Sequence, residues 1–168
     1  MASDSTTEDI IFETKSFTVE RSPRPFVSRE EGGHIRIFPK NHAVRCINDL
    51  TPDEAKELIR LEMVVREAMM EGMNKQGVPV VWINLEDLGN WAFKRNEVPR
   101  LHIHIFGRAS SATKQLWPEA INLPDRSTGF YDGFQPLTDE DMKVIGVIIE
   151  EKFRDPKYAD EAWGLSEY

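Results

Sequence analysis

The segment Val98-Pro99-Arg100-Leu101-His102-Ile103-His104-Ile105-Phe106-Gly107-Arg108 alternates apolar and polar residues through its centre. A strand sends successive side chains to opposite faces, so Leu101, Ile103 and Ile105 share one face and Arg100, His102 and His104 the other. That alternation demands a sheet with one face buried, and it gathers two of the four histidines beside a guanidinium. A neutral imidazole can attack, bind a metal or pass a proton. The planar arginine fork suits phosphate or carboxylate. Together they point to chemistry on an anionic, phosphorylated substrate, although a solvated polar sheet face would show the same alternation.

The rest of the chain reads as α+β. Residues 10–13 and 17–20 are expected as short strands around a Thr14-Lys15-Ser16 turn, with a Pro- and Gly-containing loop over 21–33 and a third strand over 34–38. Thr51-Pro52-Asp53-Glu54 has the form of a helix start: an N-cap, proline at the first helical position and a capping-box glutamate. Leu58, Leu61, Val65, Ala68 and Gly72 follow at helical spacing. Met63, Met69, Met70 and Met73 read as core or dimer-contact filler. Strands are expected over 80–84 and 101–106, with long connections over 85–99 and 109–136 that suit active-site loops. A second helix starts at Thr138-Asp139-Glu140-Asp141, stapled by Leu137 and Met142, with a stripe of Met142, Ile145, Ile149 and Phe153, and Pro156 beyond its end.

Composition narrows the function classes. The 168 residues suit one compact core, and no apolar run is long enough to span a bilayer. The amino-terminal residues do not form a secretory signal, so a soluble protein of the cytoplasm, or of the nucleus, is expected. Cys46 is the only cysteine, which rules out intrachain disulfides, and a buried apolar place is expected for it. The net charge of −8 argues against a general nucleic-acid surface. Lys94, Arg95, Arg100 and Arg108 nevertheless form a basic cluster that could draw a polyanion into one cleft.

The His-x-His strand resembles the active-site strand of the histidine triad (HIT) superfamily, His-φ-His-φ-His-φ-φ with φ apolar. Arg100 stands at the first histidine's position, His102 and His104 at the second and third, and Ile105-Phe106 at the apolar pair. The resemblance extends upstream to His34-Ile35-Arg36-Ile37-Phe38-Pro39-Lys40-Asn41-His42, similar to a strand ending in Pro-Lys-x-His, and to Val80-Val81-Trp82-Ile83-Asn84, similar to the strand ending in the family's asparagine. These segments lie in family order over roughly residues 10–108.

The resemblance implies an α+β HIT-like fold, an antiparallel sheet of about five strands with two helices. It implies a nucleotide hydrolase or nucleotidyl transferase in which His102 attacks the α-phosphorus of a nucleoside phosphate derivative. Its imidazole would be oriented by the backbone carbonyl of Arg100, and no cofactor or metal is required. His104 would donate to the phosphate or the leaving oxygen, while Arg100, Asn84 and His42 would contact substrate. His34 has no assigned catalytic counterpart. The family's Gly-Gln-Ser/Thr run is replaced by Lys94-Arg95-Asn96-Glu97-Val98-Pro99. A homodimer joining two sheets is implied, with a nucleotide-like small molecule as substrate and no membrane partner.

The expected organisation is a disordered tail over 1–8, one domain over 9–153 (core 10–108, loop 109–136, helix 138–153) and a tail over 154–168. Two other readings stand beside the enzymatic one. The chain could be a HIT-like nucleotide-binding or interaction module with little chemistry. Alternatively, His34, His42, His102 and His104 could ligate a divalent metal.

Overall fold

The computed structural model describes residues 7–165; the expected amino-terminal tail lies mostly outside them, as do residues 166–168. Five strands, β1 (Ile10–Glu13), β2 (Phe17–Arg21), β3 (His34–Pro39), β4 (Val80–Asp87) and β5 (Ile103–Ala109), form an antiparallel sheet in the order β1-β2-β3-β5-β4. Helix α1 (Pro52–Lys75) joins β3 to β4, and α2 (Asp139–Phe153) follows a long loop after β5. The chain after α2 adds a 3-10 turn, Pro156–Tyr158, and one helical turn, α3 (Asp160–Trp163), with Tyr158 buried.

Both long helices begin as their sequences dictate. The Thr51 hydroxyl accepts from the Glu54 N–H, and the Thr51 N–H donates to the Glu54 carboxylate at 2.8 Å. Thr138 and Asp141 repeat that reciprocal pairing, and Arg29 adds two charge-assisted bonds to Asp141 at 2.6 and 2.8 Å. Leu58, Leu61, Val65 and Ala68 of α1 pack with Ile145 and Ile149 of α2 against Ile35, Ile37, Ile103 and Ile105 of the sheet. Gly72 lets the helices approach, because a Cβ there would stand 2.8 Å from Ile145 Cγ1. Met69 and Met73 are core residues, while Met63 and Met70 are partly buried against it.

The opposite sheet face carries the polar chemistry. Phe26, Phe106 and Tyr131 form a smaller aromatic cluster there, backed by the loop between β5 and α2. Strand β5 begins at Ile103 instead of Leu101, since the Leu101 N–H is given to the Val44 carbonyl outside the sheet. β4 runs past Asn84 to Asp87, which pairs with Ile103, and the remaining connection holds a 3-10 segment over Gly89–Arg95. Cys46 is exposed, contrary to the burial expected of a lone cysteine. It caps the 3-10 turn Ile47–Asp49, where Asp49 draws the backbone N–H groups of Arg45 and Cys46 outward.

One close approach sets the height of the polar face. The backbones of Gly32 (φ 130°) and Gly107 cross so tightly that a Cβ on Gly107 would overlap the Gly32 carbonyl. Because backbone faces backbone, no side chain can yield. Gly107→Ala is therefore expected to destabilise the fold by about 3 kcal/mol, at the upper end of overpacking costs. Urea denaturation measures this, and a loss below about 1 kcal/mol would contradict the tight crossing.

Candidate active site

A cleft of about 700 Å³ opens over the polar face of β3 and β5, and Arg100, His102 and His104 line it together. His34, Arg36 and Phe38 of β3 join them, because β3 pairs in register with β5 and places Arg36 opposite His104 and His34 opposite Phe106. Residues directly opposite in a ladder share a face. The alternation His34-x-Arg36-x-Phe38 could have revealed this in the sequence.

Each imidazole is fixed by a group whose hydrogen-bonding sense is not negotiable. His102 Nδ1 lies 2.9 Å from the Arg100 carbonyl, which only accepts, so Nδ1 carries the proton and Nε2 keeps its lone pair. The Phe26 backbone N–H, which only donates, points to His34 Nδ1 at 3.1 Å. The His34 proton must then sit on Nε2, which lies 2.9 Å from His104 Nδ1. His104 accepts there and carries its own proton on Nε2. One backbone amide thus sets two tautomers in series, leaving a nucleophilic nitrogen on His102 and a donor on His104. His34, unassigned from the sequence, is the residue that transmits this polarity.

Packing holds the rings in place. His102 stacks on Phe38 with centroids 5.1 Å apart and planes 9° apart, and its centroid is 4.5 Å from that of His104. His34 and His104 are buried, and His102 is half-buried at the cleft. Burial holds all three imidazoles below the usual histidine range, His34 and His104 well below it. Neighbouring cations push the same way, with Arg36 facing all three. All three rings are neutral at pH 7, as a nucleophile and a neutral donor require.

The cationic lining is broader than the sequence suggested. Arg100 and Arg36 each lie over the Phe38 ring at 5.0 Å, and Arg100 also donates to the Pro39 carbonyl at 3.3 Å. Arg100 Nε is buried and has no hydrogen-bond partner among the described residues. Arg24, Arg95 and Arg126 complete the cleft. Lys94 sits over Trp91, 4.9 Å from the ring centroid. Arg108, expected in the basic cluster, is buried instead and binds Asn84 Oδ1 at 3.0 Å and the carbonyls of Leu116 and Glu119 at 3.0 and 2.8 Å. It braces the long loop. Asn84 is thus engaged with Arg108 outside the cleft lining, and His42 is exposed beyond it.

The donor set does not resemble a metal centre. A metal between two imidazole nitrogens holds each at about 2.0–2.1 Å, whereas His34 and His104 meet directly at hydrogen-bond distance. Among the described residues no group of three or more His, Cys, Asp or Glu side chains is gathered to hold a metal ion.

The sequence profile of the HIT domain matches residues 4–111, more than half of the chain. The chain belongs to the HIT domain family. Members of that family are generally nucleotide-binding hydrolases or transferases. No curated protein matches the sequence. Among solved structures, this HIT protein is similar to a hypothetical histidine triad nucleotide-binding protein from Sulfolobus tokodaii, with 18% identity over 88% of this chain and 87% of that one and a TM-score of 0.57. A zinc-bound histidine triad family protein from Mycobacterium smegmatis shares 19% identity over 90% and 89% of the two chains, TM-score 0.57. A histidine triad protein from Bradyrhizobium japonicum shares 20% identity over 86% and 91%, TM-score 0.56. At these identities the likeness is one of fold. No helix among the described residues of this HIT protein is long and apolar enough to cross a membrane.

Proposed function

We propose that this HIT protein cleaves a nucleoside phosphate derivative at its α-phosphorus through a covalent nucleotidyl-His102 intermediate. The observation that carries the reading is the pair of tautomers fixed in series, an unprotonated Nε2 on His102 beside a protonated Nε2 on His104 at an open cleft. In the first step the His102 Nε2 lone pair forms a bond to phosphorus and the bond to the leaving oxygen or nitrogen breaks. His104 donates toward the group that departs. His104 keeps its proton and only hydrogen-bonds to that group. Water or another acceptor then attacks the same phosphorus, the bond to His102 Nε2 breaks, and the proton lost by the acceptor goes to the departed group or to solvent.

Arg100, at the position of the family's first triad histidine, would stabilise the non-bridging oxygens as charge grows on them. Its place in the cleft lining, over the Phe38 ring on which His102 stacks, supports that role. The backbone carbonyl that orients His102 does not depend on the side chain it belongs to. Replacing a histidine by arginine therefore leaves the nucleophile's orientation in place.

A panel of nucleoside phosphoramidates, dinucleoside polyphosphates and adenylylated peptides, assayed in excess chelator, tests the reading. Turnover of at least one class supports it. Tight nucleotide binding with no turnover would favour a binding module, and activity lost to chelator and restored by metal would favour the metal reading.

We further propose a two-fold homodimer through β4, an edge strand on which Val81, Trp82 and Leu85 remain 43%, 48% and 40% exposed. Sedimentation equilibrium should give twice the chain mass of 19.4 kDa, and Trp82→Glu should shift it to the monomer. A monomeric wild type at micromolar concentration would overturn this arrangement.

A further inference from the structure

The cations in the cleft divide between its two ends. Arg36 and Arg100 gather around Phe38 at the His102 end. Arg126 gathers around Phe26 at the His104 end, 4.3 Å over its ring and 4.9 Å over Tyr131, and Phe26 lies 5.8 Å from His104 between centroids. Arg24, which accepts a bond from Arg126 Nη2 at its carbonyl at 2.6 Å, lines the same end. Arg126 acts on the His104 and His34 rings. A phosphoryl group seated at His102 meets Arg36 and Arg100, whereas Arg126 faces the His104 end of the same cleft.

Arg126 comes from outside the family match, which stops at residue 111. The fold spends many bonds on delivering it. Buried Glu31 accepts the backbone N–H groups of Thr113 and Gln115 at 2.7 and 2.9 Å. The Gln115 side chain then ties Phe26 to Asn122 at 3.0 and 2.8 Å. Asp125 caps the turn that carries Arg126, and the Tyr131 hydroxyl donates to the Pro124 carbonyl at 2.9 Å. A guanidinium pre-positioned on two aromatic faces needs little ordering when an anion arrives, and aromatic neighbours shield it from bulk screening.

We propose that Arg126 is a specificity-determining residue that binds a second anionic group, carried by the leaving group of the substrate. The inference rests on the nucleotidyl-transfer reading and deepens it: the substrates it favours are those whose departing group is itself anionic, as in a phosphoric anhydride, over those that release a neutral or cationic amine. His104 Nε2–H hydrogen-bonds to the atom that departs, and Arg126 receives the charge that leaves with the departing group. The attack on phosphorus and the proton inventory are unchanged from the scheme above.

The test compares three substrates with one nucleoside: diadenosine triphosphate, the adenosine phosphoramidate of a simple amine, and the phosphoramidate of an amino acid bearing a free carboxylate. In Arg126→Gln, kcat/KM for diadenosine triphosphate should fall roughly 10- to 100-fold, the range of one charge-assisted hydrogen bond. The simple phosphoramidate should change by less than about threefold. The carboxylate-bearing substrate separates the two anions: a loss matching that of the triphosphate makes the site a general anion clamp, and no loss makes it selective for phosphate. Arg126→Lys should restore part of the activity. Equal losses on all three substrates would show that Arg126 only supports the loop and would overturn the proposal. If wild type turns over none of them, the chemical reading fails, and binding alone decides the clamp. ADP should then bind Arg126→Gln about tenfold more weakly than wild type, with AMP unchanged. An equal change for both nucleotides would overturn it.

Discussion

His102→Ala should abolish covalent nucleotidyl transfer and lower kcat by roughly 10⁴- to 10⁶-fold, the scale seen when a catalytic nucleophile is removed. The size of the effect follows from the division of labour in the cleft. In the proposed reaction His104 and the arginines would stabilise charge that appears only as the bond to His102 forms, so without that bond they would have little to act on. The substitution should leave the fold intact, because His102 is half-buried at the cleft and outside the aliphatic core. Nucleotide affinity should change by less than about tenfold, since the cationic lining remains. Fluorescence titration and single-turnover kinetics on the same preparation separate the two quantities. A variant that still turns over within tenfold of wild type would exclude His102 as the nucleophile.

His34→Leu should lower kcat by roughly 10²- to 10³-fold although His34 is buried beneath the reacting groups, the loss associated with one misplaced donor. The variant removes the partner of both the Phe26 N–H and His104 Nδ1. His104 is then free to move its proton to Nδ1, which turns its outer nitrogen from a donor into an acceptor. Nitrogen-15 NMR of the imidazoles should show the Nε2-protonated tautomer of His104 in wild type and a mixture in the variant. A merely structural role for His34 would lower stability without moving that ratio.

The same substitution carries a pH signature. His34 and His104 titrate well below the ordinary histidine value because burial penalises their charged forms. The unfolded chain takes up protons near pH 6.5 while the folded chain does not. The stabilisation is therefore fully present above about pH 6.5 and is lost as pH falls toward the depressed folded values. Removing His34 should flatten that acid-side loss, read from urea midpoints between pH 5 and 7.5. An unchanged slope would mean that His34 is not held neutral.

Much of the fold was legible because local signals agreed with tertiary demands. The capping boxes at Thr51 and Thr138 set both helix starts, and the period-two alternation around His102 set which face of β5 meets the core. The strand ends were less legible, since where β5 begins depends on a bond from Leu101 to Val44, far away in sequence. The cleft was half visible. Arg100, His102 and His104 share it as their alternation demanded, but the parts supplied by other segments were hidden. His34 comes to lie beside His104 only through the β3–β5 register, and Arg126 reaches the cleft only when Glu31 and Gln115 fold the long loop back. Arg108 misled for the opposite reason. A cation next to an active strand looks like a ligand until three-dimensional structure gives it an asparagine and a set of carbonyls to hold.

The most direct measurement is the mass and position of any group that the protein carries when it is mixed with substrate. Wild type mixed with a nucleoside polyphosphate, quenched at alkaline pH and digested, should yield one peptide heavier by a nucleotidyl group, with fragmentation placing it on His102 and acid releasing it. A nucleotidyl group found on another residue, or rapid turnover with no covalent species at any quench time, would contradict the account.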